Sequence, residues 1–172
     1  MLVHTVGHGT RPIEELVAVL TAAEVRTVVD VRRFPGSRRH PQFGQAALDA
    51  ALAAAGITYR HAPELGGRRA NEPGEERFAC IRVAAFRSYA ARMTSPEWQA
   101  ALAAELDQPR PAFLCAETLW TRCHRRLIAE LLHARGEEVR HLLTPTRTEP
   151  HTAWKVAEHR DGSLFLCGAR VA

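Results

Sequence analysis

The chain has 172 residues, of which 46% are hydrophobic and 24% charged, which is typical of one soluble globular domain. No apolar run approaches the ~18–20 residues of a membrane span, and the opening MLVHTVGHGT lacks the charged flank and apolar core of a signal peptide. We therefore expect a single cytoplasmic domain over residues 1–172. The net charge is only +4, but every basic residue except Lys155 is an arginine.

Strand-like apolar runs alternate with helical patterns along the chain. The predicted strands cover residues 2–6, 25–31, 57–62, 111–116 and 138–143, and the helices between them follow Pro12 and cover 44–55, 78–93, 96–106 and 122–135. In the tail, Asp161-Gly162 indicates a β-hairpin. This alternation predicts a single-domain, Rossmann-like three-layer α/β fold, with a mostly parallel sheet of about five strands and a C-terminal β-hairpin.

An unusual polar loop follows each of the first four predicted strands. In chain order these loops read GHGTR, RRFPGSRRHPQF, PELGGRR and ETLWTRCHRR. Open α/β sheets bind ligands outside the carboxyl ends of their strands, and all four loops fall at that edge. The sequence therefore predicts one site to which the four loops contribute, bordered by residues 7–11, 32–35, 65–69 and 117–125.

Five blocks of the sequence carry a family resemblance. GHGTRPIEEL, VVDVRRFPGSRRHPQF, GITYRHAPELGGRR, FLCAETLWTRCHRRLIAELL and GEEVRHL together resemble the domain of unknown function 488 family, over about residues 3–143. Thr10 stands where the family often has serine. The resemblance implies an α/β fold and marks the same loops, with residues 144–172 as a C-terminal extension. It implies no particular activity or substrate.

The candidate catalytic residues are Glu117, Cys115, His8 and His124. Glu117 follows a buried strand, where its carboxylate either pairs with a nearby arginine or acts as an acid, base or nucleophile. Cys115 closes that strand, either as a small apolar residue or as a thiol at the mouth of the site, where arginines and a helix N-terminus favour the thiolate. The two histidines are candidate proton carriers.

A second set of residues is predicted to hold the ligand. Clustered guanidinium groups and glycine-rich loops suit phosphate contacts, because arginine donates bidentate hydrogen bonds and glycine lets backbone amides approach closely. The predicted binding residues are Gly7, Gly9, Thr10, Asp30, Arg32, Arg33, Pro35, Arg38, Gly66, Gly67, Arg68, Arg69, Arg122, Cys123 and Arg125. Within this set, Asp30 is expected to support Arg32, and Cys123 also suits core packing from the first turn of the helix.

The four cysteines make no CxxC pair, so we expect all of them to be free thiols. The spacing of Cys115, Cys123 and His124 also lacks the CxxC or HxxxH pairs of zinc sites, and we expect no metal ion and no cofactor. The interval from Cys115 to Arg122 is one residue longer than in the loop of cysteine phosphatases. That extra residue weakens the interpretation as a thiol-dependent enzyme.

The sequence thus favours a small enzyme, a hydrolase or transferase, that acts on a phosphate-bearing substrate such as a nucleotide, DNA or RNA. Carboxylate and histidine chemistry would act at the carboxyl edge of the sheet. One alternative is a module that binds nucleic acid or a nucleotide without turnover. Another is a thiol-dependent enzyme of sulfur or phosphoryl transfer. No membrane partner is expected.

Overall fold

The computed structural model describes residues 1–36 and 38–172 and contains a six-stranded, mostly parallel sheet in the order β3-β2-β4-β1-β5-β6. The first five strands along the chain run parallel to their neighbours, and β6 is antiparallel to β5. The strands are β1 (Leu2–Gly7), β2 (Thr27–Asp30), β3 (Thr58–His61), β4 (Pro111–Cys115), β5 (Glu138–Thr144) and β6 (Arg147–Pro150). The predicted parallel sheet is confirmed, and β6 is an addition that the sequence did not indicate.

Helices cover both faces of this sheet. They are α1 (Ile13–Ala22), α2 (Gln45–Ala54), α3 (Ala84–Met93), α4 (Pro96–Leu106) and α5 (Arg125–Ala134). Successive strand residues point to opposite faces, so Val28 packs with α1 and α2 while Val29 packs with the other three helices. This arrangement is the predicted three-layer fold. None of the helices in the described part of the chain is long and apolar enough to cross a bilayer.

The C-terminal extension forms a small antiparallel sheet of β7 (Ala157–Arg160), β8 (Ser163–Leu166) and β9 (Ala169–Arg170). Asp161 and Gly162 join β7 to β8 with φ angles of 50° and 74°, as a type I′ turn requires. The predicted hairpin is therefore confirmed, and β9 extends it. Leu164 and Leu166 are fully buried in the same hydrophobic core as α5, so the extension packs as part of the main domain.

Two helices begin later than the sequence pattern predicts. The helix expected from residue 78 is a short 3-10 turn at Glu75–Phe78 followed by α3, and the Arg87 guanidinium donates to the carbonyls of Ile81 and Arg82 in the intervening segment. The helix expected from residue 122 begins at Arg125. Cys123 has extended backbone angles (φ −115°, ψ 149°), so it precedes the helix and does not lie in its first turn.

The prediction of four free thiols is wrong for two of them. Cys80 and Cys167 form a disulfide across a sequence separation of 87 residues, while Cys115 and Cys123 are free. Cys80 lies before α3 and Cys167 between β8 and β9, and packing of the small sheet on the α3 side brings them together. Such a pair has no signature in sequence spacing, because only the tertiary fold creates it.

Reduction of this disulfide is expected to destabilise the protein. A cross-link that closes a loop of this length restricts the unfolded chain and contributes roughly 2–4 kcal/mol to the free energy of unfolding. Urea unfolding followed by circular dichroism, with and without dithiothreitol, measures the difference. The double variant Cys80→Ser/Cys167→Ser is the control and should not respond to the reductant. An equal response of wild type and double variant would show that the bridge contributes nothing.

Candidate functional site

The carboxyl ends of β1, β2 and β4 lie side by side, since Gly7 pairs with Cys115 and Asp30 pairs with Leu114. A cavity of about 410 Å³ opens at this edge, a volume within the range of small-molecule sites, which is about 300–1,000 Å³. It is lined by His8, Gly9, Thr10, Arg32, Arg33, Phe34, Gly36, His40, Gly67, Arg68, Cys115, Ala116, Glu117, Thr118 and His124. Loops that follow four different strands therefore meet at one cavity.

The structure brings some of the predicted site residues to this cavity and leaves others outside its lining. Those that line it are His8, Gly9, Thr10, Arg32, Arg33, Gly67, Arg68, Cys115, Glu117 and His124. Those outside the lining are Gly7, Asp30, Pro35, Arg38, Gly66, Arg69, Arg122, Cys123 and Arg125. Of this second set, Arg38 and Arg122 are exposed to solvent, whereas Asp30, Cys123 and Arg125 are buried.

Five lining residues were not among the predicted catalytic and binding residues: Phe34, Gly36, His40, Ala116 and Thr118. Four of them lie in the polar loops predicted after β2 and β4, so those loops were the available signal, whereas Ala116 was the last residue of the predicted strand 111–116 and follows β4 in the structure. Thr118 is placed by Gly9, whose backbone has a φ of +54°, and a Cβ at Gly9 would lie only 2.3 Å from the Thr118 hydroxyl oxygen.

Asp30 and Arg32 form a buried ion pair that shapes one wall of the cavity. The Arg32 Nε donates to Asp30 Oδ1 at 2.8 Å and its Nη2 donates to Oδ2, while Tyr59 donates its hydroxyl to Oδ2 at 2.8 Å. Asp30 is fully buried and Arg32 is 7% exposed. The Arg32 Nη1 also donates to the Phe43 carbonyl at 2.9 Å. The guanidinium is therefore fixed in place, as the predicted supporting role of Asp30 requires.

His8 lies between this guanidinium and the Gly9 carbonyl. Its Nδ1 is 2.8 Å from the Gly9 oxygen and must donate there, which leaves Nε2 to accept from Arg32 Nη1 at 3.2 Å. The ring also stacks on Phe43 at 4.1 Å. Burial, helped by the Arg32 charge and opposed by the Gly9 hydrogen bond, lowers the pKa of His8 to about 4. His8 is thus a neutral ring near pH 7, and both of its nitrogens hold protein partners.

Arg125 fixes the opposite wall through the loop that follows β4. This guanidinium is 1% exposed and donates to the Glu117 backbone oxygen, to Thr5 Oγ1 at 3.2 Å and to Cys123 Sγ at 3.3 Å. Gly7 makes room for this arrangement, because a Cβ there would lie 2.1 Å from the Glu117 oxygen and 2.9 Å from Arg125 Nη2. Arg125 therefore holds the loop from behind and does not reach the cavity.

Glu117 contributes its backbone oxygen, and not its carboxylate, to this anchor. The residue is exposed and lines the cavity, and within residues 1–36 and 38–172 its side chain makes no ion pair. The sequence left two alternatives for Glu117: an ion pair with a nearby arginine, or a carboxylate that acts as an acid, base or nucleophile. The described part of the chain contains no such ion pair. The carboxylate is available to a ligand.

Arg68 and Arg69 follow β3, just as Arg32 and Arg33 follow β2. In each pair one arginine hydrogen-bonds to the protein and the other is exposed. The Arg69 Nε donates to the Gly66 carbonyl at 3.0 Å and its Nη2 to the Glu64 carbonyl at 3.1 Å, so this side chain folds back and braces its own loop. Arg68 is exposed and lines the cavity, as does Arg33. Neither Arg33 nor Arg68 forms an ion pair with the described residues.

Cys115, Cys123 and His124 form a compact cluster at the floor of the cavity. The His124 Nδ1 lies 3.9 Å from Cys115 Sγ and 3.7 Å from Cys123 Sγ, and the three atoms are all within 4.8 Å of one another. Cys115 is partly exposed, whereas Cys123 is 4% exposed. Gly67 makes room for the imidazole, since a Cβ there would be 2.6 Å from Nδ1. Two sulfurs and one imidazole nitrogen are also a possible metal-ligand set.

The two thiols differ in their acidity. Burial raises the pKa of Cys123, but the hydrogen bond from Cys115 and the charge of Arg125 outweigh burial and hold this pKa well below its usual range. The same hydrogen bond, together with burial, raises the pKa of Cys115 well above its usual range. The sequence pattern favoured a thiolate at Cys115; the geometry favours it at Cys123.

A hydrogen-bonded chain continues from Arg125 into the domain. Thr5 accepts from Arg125 and lies 2.7 Å from His141 Nδ1, His141 Nε2 is 3.1 Å from His151 Nδ1, and His151 Nε2 is 3.0 Å from Glu130 Oε2. These contacts are consistent if Thr5 donates to His141 Nδ1 and both histidines donate from Nε2. Burial and the neighbouring His151 and Arg125 lower the pKa of His141 to about 3.

Lowering the pH is expected to lower the free energy of unfolding, because burial lowers the pKa of His141. Its folded pKa lies below the ordinary value of 6.5, so the unfolded chain binds a proton first and stability falls as pH decreases below 6.5. This single group accounts for about 2 kcal/mol between pH 7 and pH 5. Urea unfolding of wild type and His141→Gln at both pH values tests this, and the variant should lose less stability between them. Parallel losses would contradict the assignment.

The comparisons with known proteins give one match. The family model described as domain of unknown function DUF488 matches residues 12–132, which is more than half of the chain. No curated protein and no solved structure matches the chain. The matched range contains the loops after β2, β3 and β4, and with them most of the cavity lining. The chain belongs to the family of the domain of unknown function DUF488.

Proposed function

We propose that this protein is an enzyme, a hydrolase or transferase, that acts on a phosphate-bearing substrate, with a nucleotide or one nucleotide unit of DNA or RNA as the best candidate. The observation that carries the proposal is the composition of the cavity. Two arginines without ion-pair partners in the described part of the chain and one unpaired carboxylate line the same space of about 410 Å³. Cations and a general acid or base are thereby directed at one ligand.

The binding side consists of Arg32, Arg33 and Arg68. Arg32 is oriented by Asp30, which also compensates its charge, so it offers directed hydrogen bonding more than net charge. Arg33 and Arg68 are exposed and keep their full charge for a ligand. Guanidinium groups on two sides of a cavity suit a phosphate, since each can donate two parallel hydrogen bonds to its oxygens.

The chemical side consists of Glu117, with His124 and Cys115 beside it on the floor. Glu117 is anchored by its backbone to Arg125, which leaves its carboxylate free to take a proton or to attack the substrate. His8 has a different role in this proposal. Both of its ring nitrogens are engaged, so we assign it to positioning Arg32 and not to proton transfer.

The size of the cavity favours a small ligand or a single unit of a polymer. Arg38 and Arg39 lie outside the lining and are exposed, where only a longer nucleic acid would reach them. We propose the cytoplasm as the location, since such substrates occur there, although a structural disulfide such as Cys80–Cys167 is rare in that compartment. The competing function is a module that binds the same phosphates through the same arginines and leaves Glu117 unused.

The lining arginines are expected to control binding, and the outer pair provides a matched control. Arg33→Ala/Arg68→Ala should weaken binding of nucleoside phosphates by about 100-fold or more, because removing each charged hydrogen bond costs roughly 1.5–3 kcal/mol. Arg38→Ala/Arg39→Ala removes the same net charge and should change mononucleotide binding less than about twofold. Isothermal titration calorimetry with a panel of nucleotides measures both.

A short single-stranded oligonucleotide extends this measurement to polymers. If Arg38 and Arg39 neutralise phosphates of the oligonucleotide, their replacement should lower the slope of log affinity against log salt by about 0.7 for each of those phosphates. Equal weakening of nucleotide binding by both double variants would show that general charge, and not the cavity, is responsible. Absence of any nucleotide or oligonucleotide binding at low salt would refute the substrate class.

Glu117→Gln separates the enzyme from the binding module. Loss of the acid-base or nucleophilic group should lower turnover by about 10²–10⁴-fold, while affinity stays within a few-fold because the arginines are unchanged. Turnover is followed by liquid chromatography of nucleoside phosphates and oligonucleotides after incubation with each protein. Full turnover by the variant would exclude Glu117 as the catalytic residue. Binding by wild type without turnover of any phosphate compound would favour the binding module.

A further inference from the structure

We propose that Cys115, Cys123 and His124 bind one Zn²⁺ ion, whose fourth coordination position faces the cavity. The sequence spacing predicted no metal, because it lacks the CxxC and HxxxH pairs by which zinc sites are usually found. The fold supplies the proximity that the spacing lacks. Cys115 ends β4, and the extended backbone at Cys123 places its sulfur beside His124 Nδ1.

The distances among the three ligand atoms match a zinc coordination shell. Zn–S bonds of about 2.3 Å and Zn–N bonds of about 2.0 Å in a tetrahedron place sulfur about 3.8 Å from sulfur and about 3.5 Å from nitrogen. The two sulfur–nitrogen distances here are 3.7 and 3.9 Å, and all three atoms lie within 4.8 Å of one another. Binding an ion therefore requires only small side-chain rotations.

Nδ1 of His124 faces the two sulfurs, and it is also the ring nitrogen that a ligand can reach. Nε2 of His124 is buried and has no hydrogen-bond partner among the described residues, so only Nδ1 can reach a ligand. Gly67 leaves open the space next to Nδ1, and the Tyr89 ring packs against the imidazole at 4.9 Å in an edge arrangement. The imidazole is thus held in an orientation that suits coordination.

The donor set selects the kind of ion. Two sulfurs and an imidazole favour a borderline-soft ion such as Zn²⁺ over Mg²⁺ or Ca²⁺, which prefer oxygen ligands. Zn²⁺ with two thiolates is neutral, and the buried Arg125 beside Cys123 adds one positive charge. The Arg125 side chain has no carboxylate partner in the described part of the chain. The complete site is therefore cationic and suits an anion or hydroxide as the fourth ligand.

The fourth position would open on the cavity, because Cys115 and His124 line it and Cys123 lies behind them. Three protein ligands with one open position are typical of catalytic zinc sites, whereas structural sites are closed by four. The ion would lie beside Glu117 and could polarise a phosphoryl oxygen or activate a water molecule there. The site does not depend on the proposed substrate, since its ligands are distinct from the arginines.

The experiment measures metal content and coordination directly, without any activity assay. The full chain is purified, and zinc is counted by inductively coupled plasma mass spectrometry after dialysis against metal-free buffer. Co²⁺ is then titrated as a spectroscopic probe, because thiolate ligation gives intense ultraviolet charge-transfer absorption. We expect one Zn²⁺ per chain and a Co²⁺ spectrum with thiolate bands that Zn²⁺ displaces.

Substitutions of the three proposed ligands test where the ion binds. Cys123→Ser, Cys115→Ser and His124→Gln should each weaken Zn²⁺ binding by about 100-fold or more. Cys80→Ser/Cys167→Ser removes the other two sulfurs and should leave binding unchanged, which makes it the matched control. Far-UV circular dichroism checks folding, and if a cysteine variant unfolds, His124→Gln decides. A Co²⁺ spectrum without thiolate bands, or Zn²⁺ binding that survives His124→Gln in the folded protein, would overturn the proposal. So would a metal-free protein in which Cys115 and Cys123 form a disulfide.

Discussion

The organisation of the site depends on one buried cation, the guanidinium of Arg125. It connects the β1 strand, through Thr5, to the loop that follows β4, through the Glu117 carbonyl, and it donates to the Cys123 sulfur. A buried charge is costly unless it is hydrogen-bonded and compensated, and the described residues supply no carboxylate for this one. Its Nε donates to the Cys123 sulfur, and against the effect of burial the hydrogen bond from Cys115 and this charge lower the pKa of that thiol. The arginine and the thiol cluster therefore stabilise each other, and the position of Glu117 follows from both.

A second buried arginine, Arg32, organises another wall of the cavity. Arg32 is held by Asp30 and the Phe43 carbonyl, and it fixes the tautomer of His8. Asp30 compensates the charge of Arg32, whereas Arg125 has no carboxylate partner among the described residues. Charge for a ligand comes from the exposed Arg33 and Arg68 at the rim. The arginines around the cavity thus form two groups. Arg32 and Arg125 hold its walls in place, and Arg33 and Arg68 are available to a ligand.

The sequence predicted the location of the cavity because strand ends can be recognised from apolar runs. Once four runs were identified as parallel strands, the polar loops after them had to share one edge. The direction of individual side chains could not be predicted in this way. Arg68 and Arg69 are adjacent and chemically identical, yet one lines the cavity and the other hydrogen-bonds to its own loop. That difference arises from a positive φ of 55° at Arg68, a property of the folded loop with no sequence signal of its own.

The same limit explains why the cysteines were misjudged. The helix predicted from residue 122 placed Cys123 in its first turn, where it suited core packing, but the helix begins at Arg125 and Cys123 has extended backbone angles, with its sulfur within 4.8 Å of Cys115 Sγ. A helix start three residues later than predicted places Cys123 beside Cys115 and His124, although its side chain remains buried. Helix ends are determined by local hydrogen bonds such as that of Arg125 to Glu117, which depend on tertiary contacts.

In the proposed function, ligand binding and chemistry fall to different segments of the chain. The available cations belong to the loops after β2 and β3, whereas Glu117 and the Cys115 cluster belong to the loop after β4 and the start of α5. The latter segment is anchored from behind by Arg125, and its floor residues are packed against Gly7 and Gly67 at distances that admit no Cβ. Arg33 is exposed, but a Cβ at Gly66 would lie 2.9 Å from both its Cα and its Cβ, so the loops after β2 and β3 are closely packed there as well. In the proposed function, ligand preference can therefore change through the exposed side chains of Arg33 and Arg68 while the groups on the floor keep their geometry, since exposed side chains tolerate substitution where a packed floor does not.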